Sequence, residues 1–416
     1  MAEIWIEIAV VVGGLLTAGV LAWPALRDLP IWRATITPLA SIIGSGFLIL
    51  GPILVDTFGS YGVLAMIVLC LAGYAFGAAI RYNIARIGNH GGDAEGDGAP
   101  DDGHLVRTLE KHSSWALAFA YSISVAYYLN LFGAFSARIF PDSSEFVARL
   151  ITTGAYALIL GAGLTKGFSL LERMEQVTVS LKLAIIAALI AALVVHAGFE
   201  ARHDAIDRSG TTIGALAAVQ MMFGLIVTVQ GFETSRYLGN HYDVATRRRS
   251  MRLSQWLASG IYVAYVALLS VSFEAGSFVL RETAIIDMMA GVSVILGPLL
   301  IVAALAAQFS AAVADTNGSG GLVDELTAHA VRARHTYLAL AAIGLALTWI
   351  ADVFEIVSYA SRAFALYYAL QSAIASGRAY RDEAETRGRR IVRVFGFGAL
   401  ALLGLAAAIF GTSVEG

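Results

Sequence analysis

Three ionisable side chains, Lys182, Glu233 and Asp315, lie inside long apolar stretches of this 416-residue sequence. A charged group in hydrocarbon is costly, and such residues face a water-filled cavity or pair with one another. The chemistry open to them is to bind a cation, to carry a proton or to neutralise each other's charge. Each also has a simpler interpretation. Lys182 could extend to the membrane surface, Asp315 could be solvated at the end of its helix, and Glu233 could form an interfacial pair with Arg236.

Two of the apolar stretches contain residues that interrupt helices. Residues 42–47 read IIGSGF and residues 230–233 read QGFE. Glycine allows the backbone to leave helical dihedral angles, and the amides and carbonyls freed in this way can bind charged groups inside a membrane. We therefore expect breaks at Gly44, Gly46 and Gly231. For residues 42–47 the alternative is close helix packing through small side chains.

Composition indicates the class of protein to which these stretches belong. Hydrophobic residues make up 58% of the chain and charged residues 14%, a balance typical of an integral membrane protein. The net charge of -3 and the placement of the basic residues argue against nucleic-acid binding. The single cysteine, Cys70, excludes an internal disulfide, and the eight histidines fall in loops or at the ends of apolar stretches. We therefore expect neither an enzyme nor a bound cofactor.

Windows of about 20 apolar residues recur along the chain, each long enough to cross about 30 Å of hydrocarbon as a helix. The windows lie near residues 4–25, 33–56, 61–81, 114–138, 146–165, 176–197, 212–238, 252–275, 284–315, 335–351, 353–377 and 391–411. Their continuous apolar character excludes barrel strands, which alternate every second residue. The predicted fold class is an all-α integral membrane protein with about 12 transmembrane helices.

The basic residues predict how these helices are oriented. If the segment before the second window is cytoplasmic, most of the 28 Lys and Arg residues are cytoplasmic too, as the positive-inside rule requires. Both termini are then extracellular, and the protein spans the plasma or inner membrane many times. The acidic, glycine-rich tract from Gly91 to Gly103 predicts a disordered cytoplasmic loop over about residues 88–105.

Two interrupted helices in corresponding positions predict a transporter built from inverted repeats, with its substrate between the breaks. A peripheral helix (1–30) precedes a first five-helix repeat (31–198), and a second repeat (211–377) is followed by a peripheral helix (390–412). A ten-helix inverted-repeat core therefore has one peripheral helix at each end. A channel, the rival class, has no need of paired broken helices.

Three motifs resemble the amino acid, polyamine and organocation (APC) transporter superfamily, whose members share the leucine-transporter type of five-plus-five fold. Residues 43–47, IGSGF, resemble the first core helix. Residues 231–233, GFE, followed by YDVATRRR at 242–249, resemble the sixth, and MEQVTVSLKL at 174–183 is similar to the fifth with its membrane lysine. The resemblance covers roughly residues 33 to 377.

The resemblance implies that backbone groups bind the substrate. The amides of Ser45, Gly46 and Phe47 would receive a carboxylate, and carbonyls at the two breaks would receive an ammonium group. Tyr127 lies in the window that corresponds to the third core helix, which lines the pocket in this fold. The implied substrate-binding residues are Ile42, Ile43, Gly44, Ser45, Gly46, Phe47, Gln230, Gly231, Phe232 and Tyr127.

The resemblance leaves two possibilities for the coupling ion. In sodium-coupled relatives, backbone and side-chain oxygens of the first and eighth core helices bind the ion, and the matching residues here are Ala40, Ile43, Ala312, Asp315 and Thr316. In sodium-independent members a lysine on the fifth core helix replaces the ion, and Lys182 occupies that place. Like charges a few ångströms apart repel strongly at low dielectric, so we favour Lys182 over sodium and expect it near Ala312 to Thr316. The predicted coupling residues are Lys182, Asp315, Thr316 and Glu233.

The expected function is secondary active transport of amino acids or related amines by alternating access, without sodium, as a proton-coupled carrier or an exchanger. The expected partners are a small zwitterionic or amine substrate, a proton or sodium, and the lipid bilayer, with no nucleic acid. The alternative is a sodium-coupled symporter of another small solute.

Overall fold

The structure, a computed structural model, describes residues 2–87, 103–140, 144–165, 169–200, 213–238 and 242–414. These residues form helices and irregular segments, and no strand occurs among them. The side chains of Ser45 and of residues 169–177 lie outside the description. Residues 88–102, which make up most of the loop predicted to be disordered, also lie outside the described residues.

Fourteen α-helices follow one another along the described residues. Their bounds are α1 Ala2–Ala22, α2 Pro24–Arg27, α3 Pro30–Phe58, α4 Gly62–Ile87, α5 His104–Ala137, α6 Glu145–Thr165, α7 Ser169–Glu200, α8 Ala215–Gly224, α9 Val244–Ser272, α10 Ala284–Ala290, α11 Leu296–Leu326, α12 Ala333–Ile350, α13 Val353–Tyr380 and α14 Arg387–Phe410.

Each predicted window coincides with one helix or with two or three consecutive helical segments. The seventh window corresponds to α8 and two short 3-10 segments, Ile226–Val229 and Phe232–Tyr237, and the ninth is divided between α10 and α11. By length and composition, eight helical segments of the described residues could cross a membrane. The prediction of an all-α, multi-pass membrane protein is therefore confirmed.

Local sequence signals fix several helix boundaries. Asp352 begins α13 with a capping box, because its carboxylate accepts the amide of Glu355 and the Glu355 carboxylate accepts the amide of Asp352. This cap separates the tenth window from the eleventh. Asp243 caps α9 by accepting the amide of Thr246 at 2.9 Å, and these hydrogen bonds hold the pKa of its carboxyl below the usual value.

The core is centred on α5, which packs against α11 and α13. Most of α5 from Ala120 to Ala137 is buried, including Tyr127, Tyr128 and Phe135. By contrast, α1 packs on α7 and α14 packs on α13, and both expose most of their apolar residues. These two helices therefore lie at the periphery, as the sequence predicts, whereas the inverted repeat stays a prediction.

The predicted break at Gly231 is confirmed. Gly231 has a φ of 113°, a left-handed conformation that favours glycine, and it separates the two 3-10 segments. A Cβ atom added there would lie 2.7 Å from the amide nitrogen of Ile42 in α3. Glycine is therefore required both by the backbone angle and by the close approach of α3.

The predicted break at Gly44 and Gly46 is wrong, because α3 is a continuous helix from Pro30 to Phe58. The two glycines instead make room for neighbours. A Cβ atom on Gly46 would lie 2.6 Å from the Cβ of Thr228, and one on Gly44 would lie 3.3 Å from the Nζ of Lys182. Close packing, the alternative interpretation, therefore explains this motif. In a continuous helix the amides of Ser45, Gly46 and Phe47 bond to carbonyls one turn earlier, so they do not form the predicted carboxylate site.

Replacing Gly46 with leucine tests this packing. We expect Gly46→Leu to lower the midpoint of thermal unfolding in detergent, because inserting methylene groups into a packed contact costs about 1–3 kcal/mol. Gly260→Leu is the matched control, because that glycine also lies within a long helix but has no atom within 4 Å of an added Cβ. An equal loss of stability in the two variants would contradict the close contact between Gly46 and Thr228.

Candidate functional site

The interrupted segment from Leu225 to Tyr237 passes through the buried centre, and its polar backbone atoms are bonded to neighbouring helices. The amide of Val227 donates to the Ser361 hydroxyl of α13 at 3.0 Å. The Tyr262 hydroxyl of α9 lies 2.7 Å from the Thr228 carbonyl and 3.0 Å from the Ile42 carbonyl of α3. Because unpaired backbone groups are costly inside a membrane, these bonds allow a break to exist there.

Glu233 is completely buried two residues after the break. One of its oxygens, Oε2, accepts the amide of Gly231 and the Tyr368 hydroxyl, each at 3.0 Å. The other, Oε1, has no hydrogen-bond partner among the described residues. Arg236 pairs instead with Glu110, so the interfacial pair of Glu233 with Arg236, the alternative interpretation, is wrong.

Asp315 lies within α11 and is 6% exposed, so it is not a solvated helix terminus. Its Oδ2 accepts a hydrogen bond from the Ser124 hydroxyl of α5. Asp315 and Glu233 are close enough to repel each other, and Tyr121 and Tyr128 interact electrostatically with both. Neither carboxylate forms an ion pair within the described part of the chain. Two acidic groups therefore share an interior that supplies them with neutral donors.

Lys182 is 6% exposed, and its ammonium donates to the Ala40 carbonyl of α3 at 2.7 Å. The ammonium is therefore held inside the protein, and the membrane-surface interpretation is wrong. A cavity of about 20 Å³ beside it is lined by Gly44 of α3 and, on α11, by residues from Leu300 to Gln308. These α11 residues precede Ala312 by at least one helical turn. Lys182 forms no ion pair with Asp315 among the described residues, and its expected place near Ala312 to Thr316 stays a prediction.

The residues of the sodium alternative have other partners. Ala40 accepts from Lys182, and the Thr316 hydroxyl donates to the Ala312 carbonyl of its own helix at 2.7 Å. Ile43 lines the cavity beside Lys182. An ammonium group therefore lies at one of the carbonyls that a sodium ion would require.

The remaining predicted binding residues surround the break. Gln230 is buried and donates to the Tyr128 hydroxyl at 2.9 Å, whereas its amide oxygen has no partner in the described part of the chain. Phe232 stacks on Tyr368 with ring centroids 5.1 Å apart. Tyr127 is buried, and its hydroxyl has no partner within the described residues. Its ring centroid lies 5.2 Å from that of Tyr128. Phe47 stacks on Tyr265 with ring centroids 4.2 Å apart, and its ring centroid lies 5.5 Å from that of Tyr262.

An ion-pair cluster, which we call the inner cluster, lies beyond the break. Arg236 donates to Glu110 at 2.7 Å and also to Gln371, while Arg378 lies 3.1 Å from Glu110. Gln371 in turn donates to the Ser113 hydroxyl at 2.7 Å. The inner cluster thus joins the second 3-10 segment to α5 and α13. Removing one partner from a buried ion pair costs about 3–5 kcal/mol, so these contacts hold the second 3-10 segment against α5 and α13.

A second cluster, the outer cluster, lies at the opposite end of α5. Arg138, just after α5, donates to Asp287 of α10, and Arg281 pairs with the same carboxylate at 2.9 Å. A second cavity, next to Ile42, Val229 and Tyr262, measures about 10 Å³. Ordinary small-molecule pockets measure about 300–1,000 Å³, so substrate entry at this centre requires movement of the helices.

Four residues that form hydrogen bonds within the site have no role predicted from the sequence, namely Ser124, Tyr128, Tyr262 and Tyr368. The only signal was polar side chains inside apolar windows, and tyrosines there are more often packing residues than ligands. Which of them meet at the break depends on how α5, α9 and α13 are arranged around it.

Comparisons with known proteins identify a family for this arrangement. A family model described as an APC superfamily transporter matches residues 24–411. An uncharacterized protein from Aquifex aeolicus (strain VF5) is 41% identical over 359 residues, which cover 85% of each chain. The matched region contains α3 through α14 and therefore every residue of the site.

Ser124 offers a test of the contact with Asp315. We expect Ser124→Ala to lower the midpoint of thermal unfolding, because a buried acceptor left without its donor costs about 1–3 kcal/mol. Ser122→Ala is the matched control: its hydroxyl is also buried but only returns to the Ala118 carbonyl of its own helix. If both alanine variants unfold at the same temperature, the Ser124–Asp315 contact does not stabilise the site.

Proposed function

Since the chain belongs to the APC superfamily of transporters, we propose that it is a secondary active transporter of amino acids or related amines. It works by alternating access and without sodium. The observation that carries the proposal is the helix break at Gly231, which is surrounded by two buried carboxylates without cationic partners among the described residues.

A substrate ammonium group is the natural complement of this centre. Buried carboxylates are stabilised by a paired cation, and aromatic faces attract cations as well. Glu233 and Gln230 each have one side-chain oxygen without a partner among the described residues. Tyr368 contacts Glu233, and Tyr128 contacts Gln230. These acceptors support recognition of the amine end of the substrate. Because α3 is continuous, its amides give no such support for a carboxylate end.

The position of Lys182 supports sodium-independent transport. Its ammonium bonds to Ala40, one of the carbonyls required by the sodium alternative, and a sodium ion there would be repelled at low dielectric. Alternating access is supported by the inner and outer clusters, which join neighbouring elements at opposite ends of α5. Breaking one cluster while the other stays intact would open the centre to one side only.

Charge-neutral variants test the proposed ammonium site. We expect Glu233→Gln to weaken amine binding about tenfold to 100-fold, because hydrogen bonds to charged groups contribute about 1.5–3 kcal/mol. Binding is measured as the thermal-shift response of purified protein to amino acids and to the corresponding decarboxylated amines. A response to the amines alone would identify an amine substrate.

Glu145→Gln is the matched control, because Glu145 is an exposed carboxylate paired with Arg149 on α6, far along the chain from the break. The proposal is wrong if Glu233→Gln and Asp315→Asn both bind amines and amino acids as tightly as the wild type does.

Replacing sodium with choline tests the coupling ion. We expect uptake into proteoliposomes to be unchanged, because the Lys182 ammonium supplies the positive charge that sodium would otherwise bring. If uptake is driven by a pH gradient, Lys182→Ala should remove the pH dependence before it removes exchange of substrate. A saturable sodium requirement that is lost in Asp315→Ala and kept in Lys182→Ala would establish the sodium-coupled alternative instead.

A further inference from the structure

A buried arginine between α4 and α9 pairs only with neutral groups among the described residues. Arg81 is 5% exposed, donates to the side chain of Gln255 and to the Tyr74 carbonyl at 3.2 Å, and lies 4.5 Å from the Tyr74 ring centroid. These bonds use two of the five N–H groups of its guanidinium. A buried cation without an anion is costly, so Arg81 favours a negative charge nearby.

Two further arginines are next to Arg81. Arg248 and Arg252 lie one helical turn apart on α9, are exposed, and repel Arg81 electrostatically. Within the described residues none of the three arginines forms an ion pair with a carboxylate. Three positive charges therefore meet at a place where this part of the protein provides no counter-charge.

Exposed apolar residues begin directly beside these charges. Trp256 is 62% exposed and lies 5.5 Å from the Tyr74 ring, while Leu253 and Leu257 flank it on α9. With a rise of about 1.5 Å per residue, Trp256 lies about 6 Å further along the helix axis than Arg252. Arginine at the headgroup level with tryptophan just beneath it is the order expected at the edge of a bilayer.

We propose that this surface, which we call the α4–α9 arginine surface (Tyr74, Arg81, Arg248, Arg252 and Trp256), binds an anionic membrane phospholipid. Arg248 and Arg252 contact the lipid phosphate, and Arg81 behind them adds a third positive charge. The acyl chain covers Trp256 and the neighbouring leucines. A soluble phosphate would satisfy the arginines but leave this apolar surface exposed, so the lipid is the better complement.

The surface lies at the membrane face where α4 ends and α9 begins, which the basic residues predict to be cytoplasmic. General attraction of basic residues to an anionic leaflet would act on every exposed arginine of that face. The lipid site differs because it holds the acyl chain against Trp256. The test therefore uses the fluorescence of that tryptophan.

The experiment compares quenching by lipids with brominated acyl chains in nanodiscs that contain the full-length protein. Phosphatidylglycerol and phosphatidylcholine carry the same brominated chains, so they differ only in headgroup. The fluorescence of Trp256 is obtained as the difference between the wild type and Trp256→Phe. We expect stronger quenching by phosphatidylglycerol, and loss of that preference in Arg248→Gln/Arg252→Gln. Each arginine near an anionic lipid contributes about a fivefold factor in affinity, so the double variant should bind about 25-fold more weakly.

Arg387→Gln/Arg389→Gln is the matched control, because it removes two exposed arginines at the start of α14 on the same predicted face. This variant should keep the preference for phosphatidylglycerol. The proposal is overturned if the control loses the preference equally, if the wild type shows none, or if inorganic phosphate abolishes it. Size-exclusion profiles and tryptophan emission maxima establish that each variant is folded, and all the substituted arginines are exposed.

Discussion

The organisation of this transporter depends on one constraint, namely that a helix broken inside a membrane must have its freed backbone groups bonded within the protein. At the break the Val227 amide bonds to Ser361, the Thr228 carbonyl to Tyr262, and the Gly231 amide to Glu233. These partners come from three different places in the chain. The neighbouring helices therefore have to approach closely, and the glycines of α3 allow that approach on one side.

The ionisable side chains at the centre are likewise bonded to groups within the protein. The two carboxylates at the centre, Glu233 and Asp315, are held by neutral donors, whereas Lys182 bonds to a main-chain carbonyl of α3. If Lys182 paired with Asp315 directly, both charges would be neutralised and the centre would lose much of its attraction for a cation. The separation leaves both acidic groups without a cationic partner among the described residues, as the proposed amine site requires. It also gives α3, which carries no break, a direct contact with Lys182.

The inner and outer clusters lie at the two ends of α5. The inner cluster ties the second 3-10 segment to α5 and α13 through Arg236, whereas the outer cluster ties the end of α5 to α10 through Asp287. Both clusters include α5, the most deeply buried helix, which also provides Ser124 and Tyr128 to the site. A small movement of α5 relative to its neighbours therefore changes the site and both clusters together. Packed cores favour such discrete rearrangements over continuous deformation.

The sequence alone determined the membrane class, the helical windows, the peripheral end helices and the break at Gly231, because hydropathy and glycine chemistry act locally. It also identified Lys182, Glu233 and Asp315, since charges in apolar windows are rare. Only the tertiary structure decided that Gly44 and Gly46 pack rather than break α3, because this depends on Thr228 and Lys182 approaching from other helices. It likewise decided that Lys182 meets Ala40 and that Asp315 meets Ser124. Partners distant in the chain are chosen by packing geometry, which no local pattern encodes.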